Sequence, residues 1–94
     1  MDKTSRLPGF YDLGLEDRAH RVSAWAGLSD TERQVLTGPG LSAEQANQMV
    51  ENVVGTYSLP LGVAPNFLIN GRDYLIPMVI EEPSVVAAAA FMAR

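Results

Sequence analysis

The first half of the chain mixes apolar and polar residues at the spacing of short helices. Apolar residues three or four positions apart form one stripe: Leu15, Ala19, Val22, Trp25 and Ala26. A helix with 3.6 residues per turn collects such positions on one face, so the pattern predicts a helix over residues 15–26. Gly27 follows at once and is a typical residue for ending a helix.

Two more helices are predicted by their start signals. Residues 29–32 (Ser-Asp-Thr-Glu) and 42–45 (Ser-Ala-Glu-Gln) both match a capping box, in which the serine and the fourth residue each accept the other's backbone N–H. The first should turn Val35 and Leu36 inward and stop at the Gly-Pro-Gly of residues 38–40. The second should end at Gly55 and bury one apolar face: Ala46, Met49, Val50, Val53 and Val54. Helices this short need a partner surface.

The second half changes to apolar runs that alternate with turn residues. Asn70-Gly71 lies between residues 66–69 (Asn-Phe-Leu-Ile) and residues 74–76 (Tyr-Leu-Ile). Asparagine and glycine tolerate the positive φ of a type I′ turn, so this stretch predicts a β-hairpin. Pro77 cannot donate a ladder hydrogen bond and indicates an edge or a bulge in the second strand.

The last segment predicts a helix that is apolar on every side. Pro83 suits its first turn, because the missing N–H would have no helical partner there. Residues 85–94 (Val-Val-Ala-Ala-Ala-Ala-Phe-Met-Ala-Arg) then leave almost no polar face. Such a helix is normally buried, so we expect further protein to enclose it and more chain to follow Arg94.

Composition narrows the possible classes of protein. The 94 residues contain no cysteine and one histidine, which excludes disulfides and sites built on cysteine or clustered histidine, and no metal is expected. Seven basic and eleven acidic residues give a net charge of −4 without a basic stripe, which argues against nucleic-acid binding. Residues 53–80 are interrupted by prolines and charges and cannot span a membrane as a helix. We therefore expect a soluble, cytoplasmic protein.

Glu81 and Glu82 are the first candidates for chemistry, between a predicted strand and a predicted helix. Neighbouring side chains of an extended segment point to opposite sides, so only one of the two can face a cleft. That carboxyl could act as a general acid beside Ile80 and Val85. The alternative is a solvated helix cap favoured by the positive end of the helix dipole, and spacing alone favours this alternative.

The remaining candidates are weaker on spacing alone. Glu51, on the third predicted helix, is most simply an exposed helix residue. His20 has no second histidine or cysteine near it, and Lys3, the only lysine, precedes every predicted element. No phosphate-binding loop or dinucleotide-binding glycine motif is present.

Four sequence motifs together resemble hydroxymethylglutaryl-coenzyme A (HMG-CoA) reductase in its soluble bacterial and archaeal form, class II. They are ENVVGT at residues 51–56, LPLGVA at 59–64, NFLINGRD at 66–73 and PMVIEEPSVVAAA at 77–89. SRLPGFY at residues 5–11 is similar to the start of that form. The resemblance covers nearly the whole chain, and the combination and spacing of the motifs make it specific.

The resemblance implies an oxidoreductase that interconverts HMG-CoA and mevalonate, with two hydride transfers from or to NAD or NADP. It implies that Glu82 is the catalytic glutamate, which supports proton transfer to the thioester-derived oxygen through a lysine, and that Ser84 hydrogen-bonds the carboxylate end of the HMG group. Glu51, Asn52 and Gly55 would lie near a dimer contact that builds the active site, so a homo-oligomer is expected.

The resemblance also implies an α+β fragment of a larger α/β enzyme. Residues 1–54 would form an N-terminal helical region, and residues 55–94 the start of a truncated large substrate-binding domain. The family's catalytic lysine, aspartate and histidine and its cofactor domain lie downstream, so this piece alone should be inactive. Tyr11 stands where some members have an arginine for the coenzyme A phosphates. The alternative is a non-enzymatic interaction module that associates through the apolar last helix and a strand edge.

Overall fold

A computed structural model describes residues 3–94 of the chain as four α-helices, one short 3₁₀ helix and one β-hairpin. The elements in chain order are a short 3₁₀ helix (Phe10–Asp12), α1 (Leu15–Ala26), α2 (Asp30–Thr37), α3 (Ala43–Met49), β1 (Leu61–Ile69), β2 (Arg72–Val79) and α4 (Val85–Ala93). The predicted α+β class is confirmed. The chain divides into two compact units: a helical unit of residues 12–58, and a hairpin unit that joins residues 59–94 to the described N-terminal segment up to Tyr11.

The caps of the helical unit follow the sequence signals closely. Ser29 and Glu32 form the predicted capping box at α2, and Ser42 and Gln45 form the one at α3. α1 has its predicted bounds and ends at Gly27, which adopts the left-handed conformation. Hydrogen bonds between neighbours in sequence thus fix where these helices begin and end.

The apolar faces predicted for these helices are mostly not covered. Val35 is 72% and Leu36 41% exposed, so the prediction that α2 turns them inward is wrong. On α1, Ala19 is buried while Leu15 is exposed. Three helices of 7 to 12 residues supply too little chain to enclose large side chains in the described structure.

The third helix is shorter than predicted. It ends at Met49, the backbone of Val50 is extended, and Asn52 has a φ of 60°. Gly55 is therefore not its terminating residue, and of the predicted buried face only Ala46 is buried. Val50, Val53 and Val54 are β-branched. Such residues lose side-chain freedom in a helix, and they do not extend α3.

The hairpin has the turn that the sequence predicts. Asn70 and Gly71 both have positive φ, 52° and 78°, as a type I′ turn requires, and Ile69 pairs with Arg72 directly beside them. The two strands are antiparallel and longer than the sequence suggested, since pairing continues to Leu61 and Val79. The polar turn and the apolar strands thus agree on one register.

A β-bulge interrupts β1 and not β2. Ala64 pairs with Ile76 and Phe67 pairs with Tyr74, so Pro65 and Asn66 together oppose the single residue between those partners. Pro77 pairs with Val63 inside β2, as a two-stranded sheet permits, because both strands are edges. Asn66 takes up the extra length with a φ of 77°.

The N-terminal segment is bound to this bulge through Ser5. The carbonyl of Ser5 accepts a 2.8 Å hydrogen bond from the backbone N–H of Asn66, and its own N–H donates to Asp73 Oδ1 at 2.7 Å. The buried Ser5 hydroxyl lies 2.8 Å from both Asp73 Oδ1 and the carbonyl of Phe67, and its one proton serves these two acceptors. No pattern in the sequence predicts this contact between residues 68 positions apart.

Asn66 also holds the last helix. Its side-chain Nδ2 donates to the carbonyl of Ala90 at 3.1 Å, and Ala90 lies in the final turn of α4, where carbonyls have no helical partner. The packing of α4 on β1 leaves Ala64 fully buried. One residue of the bulge therefore joins the N-terminal segment, the hairpin and the helix.

Replacing Asn66 with aspartate should destabilise the chain. Asn66→Asp tolerates the positive φ but sets a carboxylate oxygen against the carbonyl of Ala90 in place of an N–H donor. We expect a loss of about 1–2 kcal/mol in the free energy of unfolding, measured by urea titration followed by circular dichroism. Asn70→Asp is the matched control, the same change at another positive-φ asparagine at the exposed hairpin tip, and should stay within about 0.5 kcal/mol. Equal effects of the two variants would contradict the role of Asn66.

The stability of the hairpin unit should fall at low pH because of Asp73. The backbone N–H and the hydroxyl of Ser5 hold the pKa of the Asp73 carboxyl below its ordinary value of 3.8. A carboxyl with a lowered pKa stabilises the folded state above its ordinary pKa, and that stabilisation is lost as pH falls through the lowered value. Urea midpoints measured from pH 6 down to about 2 should therefore fall more steeply for the parent chain than for Asp73→Asn. Parallel curves would count against a structural role for this carboxylate.

Candidate functional site

The strand-to-helix turn of residues 80–84 carries two of the candidate residues. It begins where the N–H of Ile80 donates to the carbonyl of Pro60 at 3.3 Å, and it ends at Ser84, the residue before α4. Pro83 lies in this turn, so the prediction that it occupies the first turn of the helix is wrong. The left-handed backbone of Ser84, with φ 72°, separates Pro83 from the helical run.

Glu82 and Ser84 are both exposed to solvent, as is Glu81. The side chain of Ser84 makes no capping hydrogen bond to α4, so its hydroxyl is not engaged in closing the helix. The first backbone N–H groups of a helix are its positive end, and Glu82 lies within three residues of that end. The turn thus presents a carboxylate and a hydroxyl on the surface of the hairpin unit.

The conformation of Ser84 is a strained one. Among the residues that the structure describes, only Ser84 and three asparagines combine a side chain with positive φ. Asparagine often adopts positive φ, whereas serine does so at an energetic cost. Strain of this kind is often found at functional sites, because the surrounding structure must maintain it.

The other candidate motif, ENVVG, lies in the helical unit. Glu51 and Asn52 form a turn directly after α3, and Gly55 follows in an exposed, irregular stretch. Glu51 is exposed, but it is not on a helix as predicted, since α3 has already ended. The structure describes Glu51, Asn52 and Gly55 within one unit and Glu82 and Ser84 within the other.

The remaining candidates stay outside both motifs. His20 is exposed on α1, as expected from its polar surroundings, and Tyr11 is 87% exposed. Within residues 3–94, no group of three metal-ligating side chains occurs. No helix over the same residues is long and apolar enough to cross a membrane.

One residue that matters for the shape of the turn was missed in the sequence. Gly62 lies inside β1 and faces Val86 of α4 so closely that a β-carbon on Gly62 would stand 3.0 Å from Val86 Cγ2. An isolated glycine inside a strand pattern is a known sign of a close approach, and that sign could have identified it.

Comparison with known proteins places this geometry in context. The family model described as hydroxymethylglutaryl-coenzyme A reductase matches residues 15–94. The 3-hydroxy-3-methylglutaryl-coenzyme A reductase of Archaeoglobus fulgidus is 58% identical over 91 residues, covering 97% of this chain and 21% of the relative. A probable reductase of the same name from Borreliella burgdorferi is 48% identical over 46 residues, covering 49% of this chain and 11% of the relative.

Solved structures give the same picture. A 3-hydroxy-3-methylglutaryl-coenzyme A reductase from Streptococcus pneumoniae superposes with a TM-score of 0.80 and 40% identity, covering 92% of this chain and 21% of that one. A class II reductase from the same organism, bound to NADPH in open conformations, matches equally well and is covered to 24%. The chain therefore spans about a fifth of the length of the Archaeoglobus fulgidus relative and of the first solved structure.

The strain at Ser84 predicts an unusual effect of glycine. Ser84→Gly should be more stable than Ser84→Ala by about 0.5–1 kcal/mol, because glycine adopts positive φ freely whereas alanine retains the strain, and the extra freedom of glycine in the unfolded chain offsets part of the gain. Urea titration of both variants measures the difference. Ser58→Gly, at an exposed serine without positive φ, is the matched control and should give no gain over Ser58→Ala. A Ser84→Gly variant less stable than Ser84→Ala would contradict the assigned strain.

Proposed function

This chain belongs to the hydroxymethylglutaryl-coenzyme A reductase family, and on that premise we propose that it supplies part of the active site of an enzyme that interconverts HMG-CoA and mevalonate. The observation that carries the proposal is the turn of residues 80–84, which presents Glu82 and Ser84 together, exposed, on a strained backbone. The family's reaction is a reduction by hydride from a nicotinamide cofactor, and it also needs protons. A carboxyl group is the chemistry that this turn can contribute.

In the proposed mechanism Glu82 takes part in proton transfer and Ser84 binds the substrate. Glu82 supports proton delivery to the oxygen that develops from the thioester, acting together with a lysine outside this chain's described residues. Ser84, whose hydroxyl does not cap α4, donates a hydrogen bond to the carboxylate end of the HMG group. The two tasks are compatible because the residues are two positions apart in one turn.

Glu51, Asn52 and Gly55 have a different proposed role. We assign them to a contact between subunits that completes the active site, so that the enzyme works as a homo-oligomer. This role is supported by the exposed turn after α3. In that turn Asn52 has a positive φ, although it is not the capping residue of a helix. Coenzyme A is the second part of the substrate, and Tyr11, exposed at the 3₁₀ helix, replaces the arginine that binds its phosphates in some members, so the phosphates are proposed to bind other groups.

The described residues do not fit a nicotinamide dinucleotide. In the doubly wound α/β folds that bind such cofactors, the pyrophosphate lies at a helix N-terminus that directly follows a strand. Within residues 3–94 the one strand-to-helix connection carries Glu81 and Glu82, whose negative charges repel a phosphate. The hydride donor, NAD or NADP, is therefore proposed to bind elsewhere in the enzyme, and no step is assigned to it on these residues.

A second candidate function is favoured by the apolar surface of α4. Phe91 is 61% and Met92 79% exposed in the described structure, as is suited to a helix that another protein surface covers. Under this alternative the chain associates with a partner chain and does no chemistry. The two candidates differ in whether Glu82 matters for turnover. The soluble, cytoplasmic location expected from the sequence stays a prediction.

A hybrid enzyme tests the proposed function. Residues 3–94 of this chain replace the matching segment of the Archaeoglobus fulgidus reductase, to which they are 58% identical over 91 aligned residues. We expect the hybrid to oxidise NADH or NADPH in the presence of HMG-CoA, followed by the loss of absorbance of the reduced cofactor. The 94-residue chain alone should show no turnover.

Glu82→Gln and its neighbour give the matched comparison. Glu82→Gln in the hybrid should lower kcat by about 10²- to 10⁴-fold, the range for loss of a general acid. Glu81→Gln removes the same charge one residue away, at an equally exposed position, and should leave kcat within a few-fold. Similar effects of both variants, or a folded hybrid without activity, would overturn the proposed function and favour the interaction module.

A further inference from the structure

We propose that Gly62 is a positioning residue for the turn of residues 80–84, acting through its contact with Val86. This inference rests on the proposed function of Glu82 and Ser84, because it concerns what holds them in place. The contact joins the backbone of β1 to the second residue of α4. Gly62 touches no reacting group itself, so its effect on the reaction is indirect.

The turn is anchored at both of its ends by β1 and the residue before it. At the beginning, the N–H of Ile80 is bound to the carbonyl of Pro60, which directly precedes β1. At the end, Val86 lies against Gly62, two residues further along the same chain segment. Residues 60–62 thus fix the height of the turn above the sheet, and with it the positions of Glu82 and Ser84.

The approach of Val86 to β1 leaves little room for a side chain at position 62. A β-carbon there would lie 3.0 Å from Val86 Cγ2, which is tighter than most such contacts, and at ordinary contact distances of 3.5 Å from Cγ1 and 3.7 Å from Cβ. Valine in a helix has one strongly preferred rotamer, so its side chain resists turning aside. A methyl group at position 62 would therefore push the first turn of α4 away from the strand by a few tenths of an ångström.

Nothing else in the strand explains a glycine at this position. Gly62 pairs regularly with Met78, and it is not among the glycines with positive φ. Glycine inside a strand costs backbone entropy, so a compensating feature is expected where one occurs. The close approach of Val86 is the reason that the structure offers.

A displaced helix would move at its N-terminus more than at its C-terminus. The far end of α4 is held by the hydrogen bond from Asn66 to Ala90, so a push at Val86 tilts the helix about that point. Ser84 precedes the helix directly and shares the displacement, and Glu82 lies two residues before it. A shift of about 1 Å in a reacting group can slow catalysis by about 100-fold, so a shift of a few tenths of an ångström should slow it by about 3- to 10-fold.

The test uses a double-mutant cycle in the active hybrid enzyme. Gly62→Ala should lower kcat by about 3- to 10-fold, whereas Val86→Ala alone should leave kcat within about two-fold of the parent value, because it removes the contact without adding a clash. The double variant Gly62→Ala/Val86→Ala removes the atoms that the new methyl group would meet, and should recover most of the lost kcat. Gly40→Ala is the control, because a β-carbon there meets nothing within 4 Å. It should leave kcat unchanged.

The outcomes separate this inference from the proposed function and from a loss of folding. Activity is measured well below the melting temperature of each variant, and Val86→Ile, which enlarges the other partner, serves if Gly62→Ala does not fold; it should also lower kcat. Normal kcat in Gly62→Ala, or no recovery in the double variant, would overturn the positioning role. If Glu82→Gln keeps full activity, the proposed function fails, while non-additive melting temperatures in the Gly62/Val86 cycle would still show the contact.

Discussion

The hydrogen bonds of Asn66 join parts of the chain that are far apart in sequence. Its backbone N–H binds the carbonyl of Ser5, its side chain binds the carbonyl of Ala90, and its positive φ creates the bulge in β1. Few large side chains are buried in this chain, so such directed bonds matter more than they would in a domain with a full core. The last helix depends on this bulge, because the bond to Asn66 is its one hydrogen bond to the hairpin among the contacts described above, whereas the N-terminal segment is held also by the bonds from Ser5 to Asp73 and Phe67.

The contacts between β1 and α4 also bear on the proposed site. β1 holds the last helix at its C-terminal end through Asn66 and at its N-terminal end through the space left by Gly62. Between β2 and that helix, the short turn has to carry Glu82 and Ser84, and Ser84 takes on a left-handed backbone. Both side chains are exposed, and so are Phe91 and Met92 near the other end of α4. Under the proposed function the first pair faces substrate and the second pair is covered by further protein. A chain that spans about a fifth of its relatives' length is expected to leave such surfaces uncovered.

Local signals in the sequence predicted the local structure well. Both capping boxes, the end of α1 at Gly27 and the Asn70-Gly71 turn depend on residues close together in sequence, and the structure contains all of them. Non-local features were not predictable: the bond between Ser5 and Asp73 spans 68 positions, and no period or motif announces it. The third helix is shorter than the apolar spacing predicts, because the valines at that spacing are β-branched and favour a helix only weakly. Glu82 and Ser84 were named through the resemblance of the EEPS motif, since spacing alone favoured a solvated cap.

A crystal structure of the hybrid enzyme with bound HMG-CoA would show whether residues 80–84 face the substrate. We expect Ser84 Oγ within about 3.2 Å of an HMG carboxylate oxygen, and the Glu82 carboxyl on the side of the thioester carbonyl. An HMG group bound away from this turn, with Ser84 and Glu82 both in contact with solvent only, would contradict this expectation.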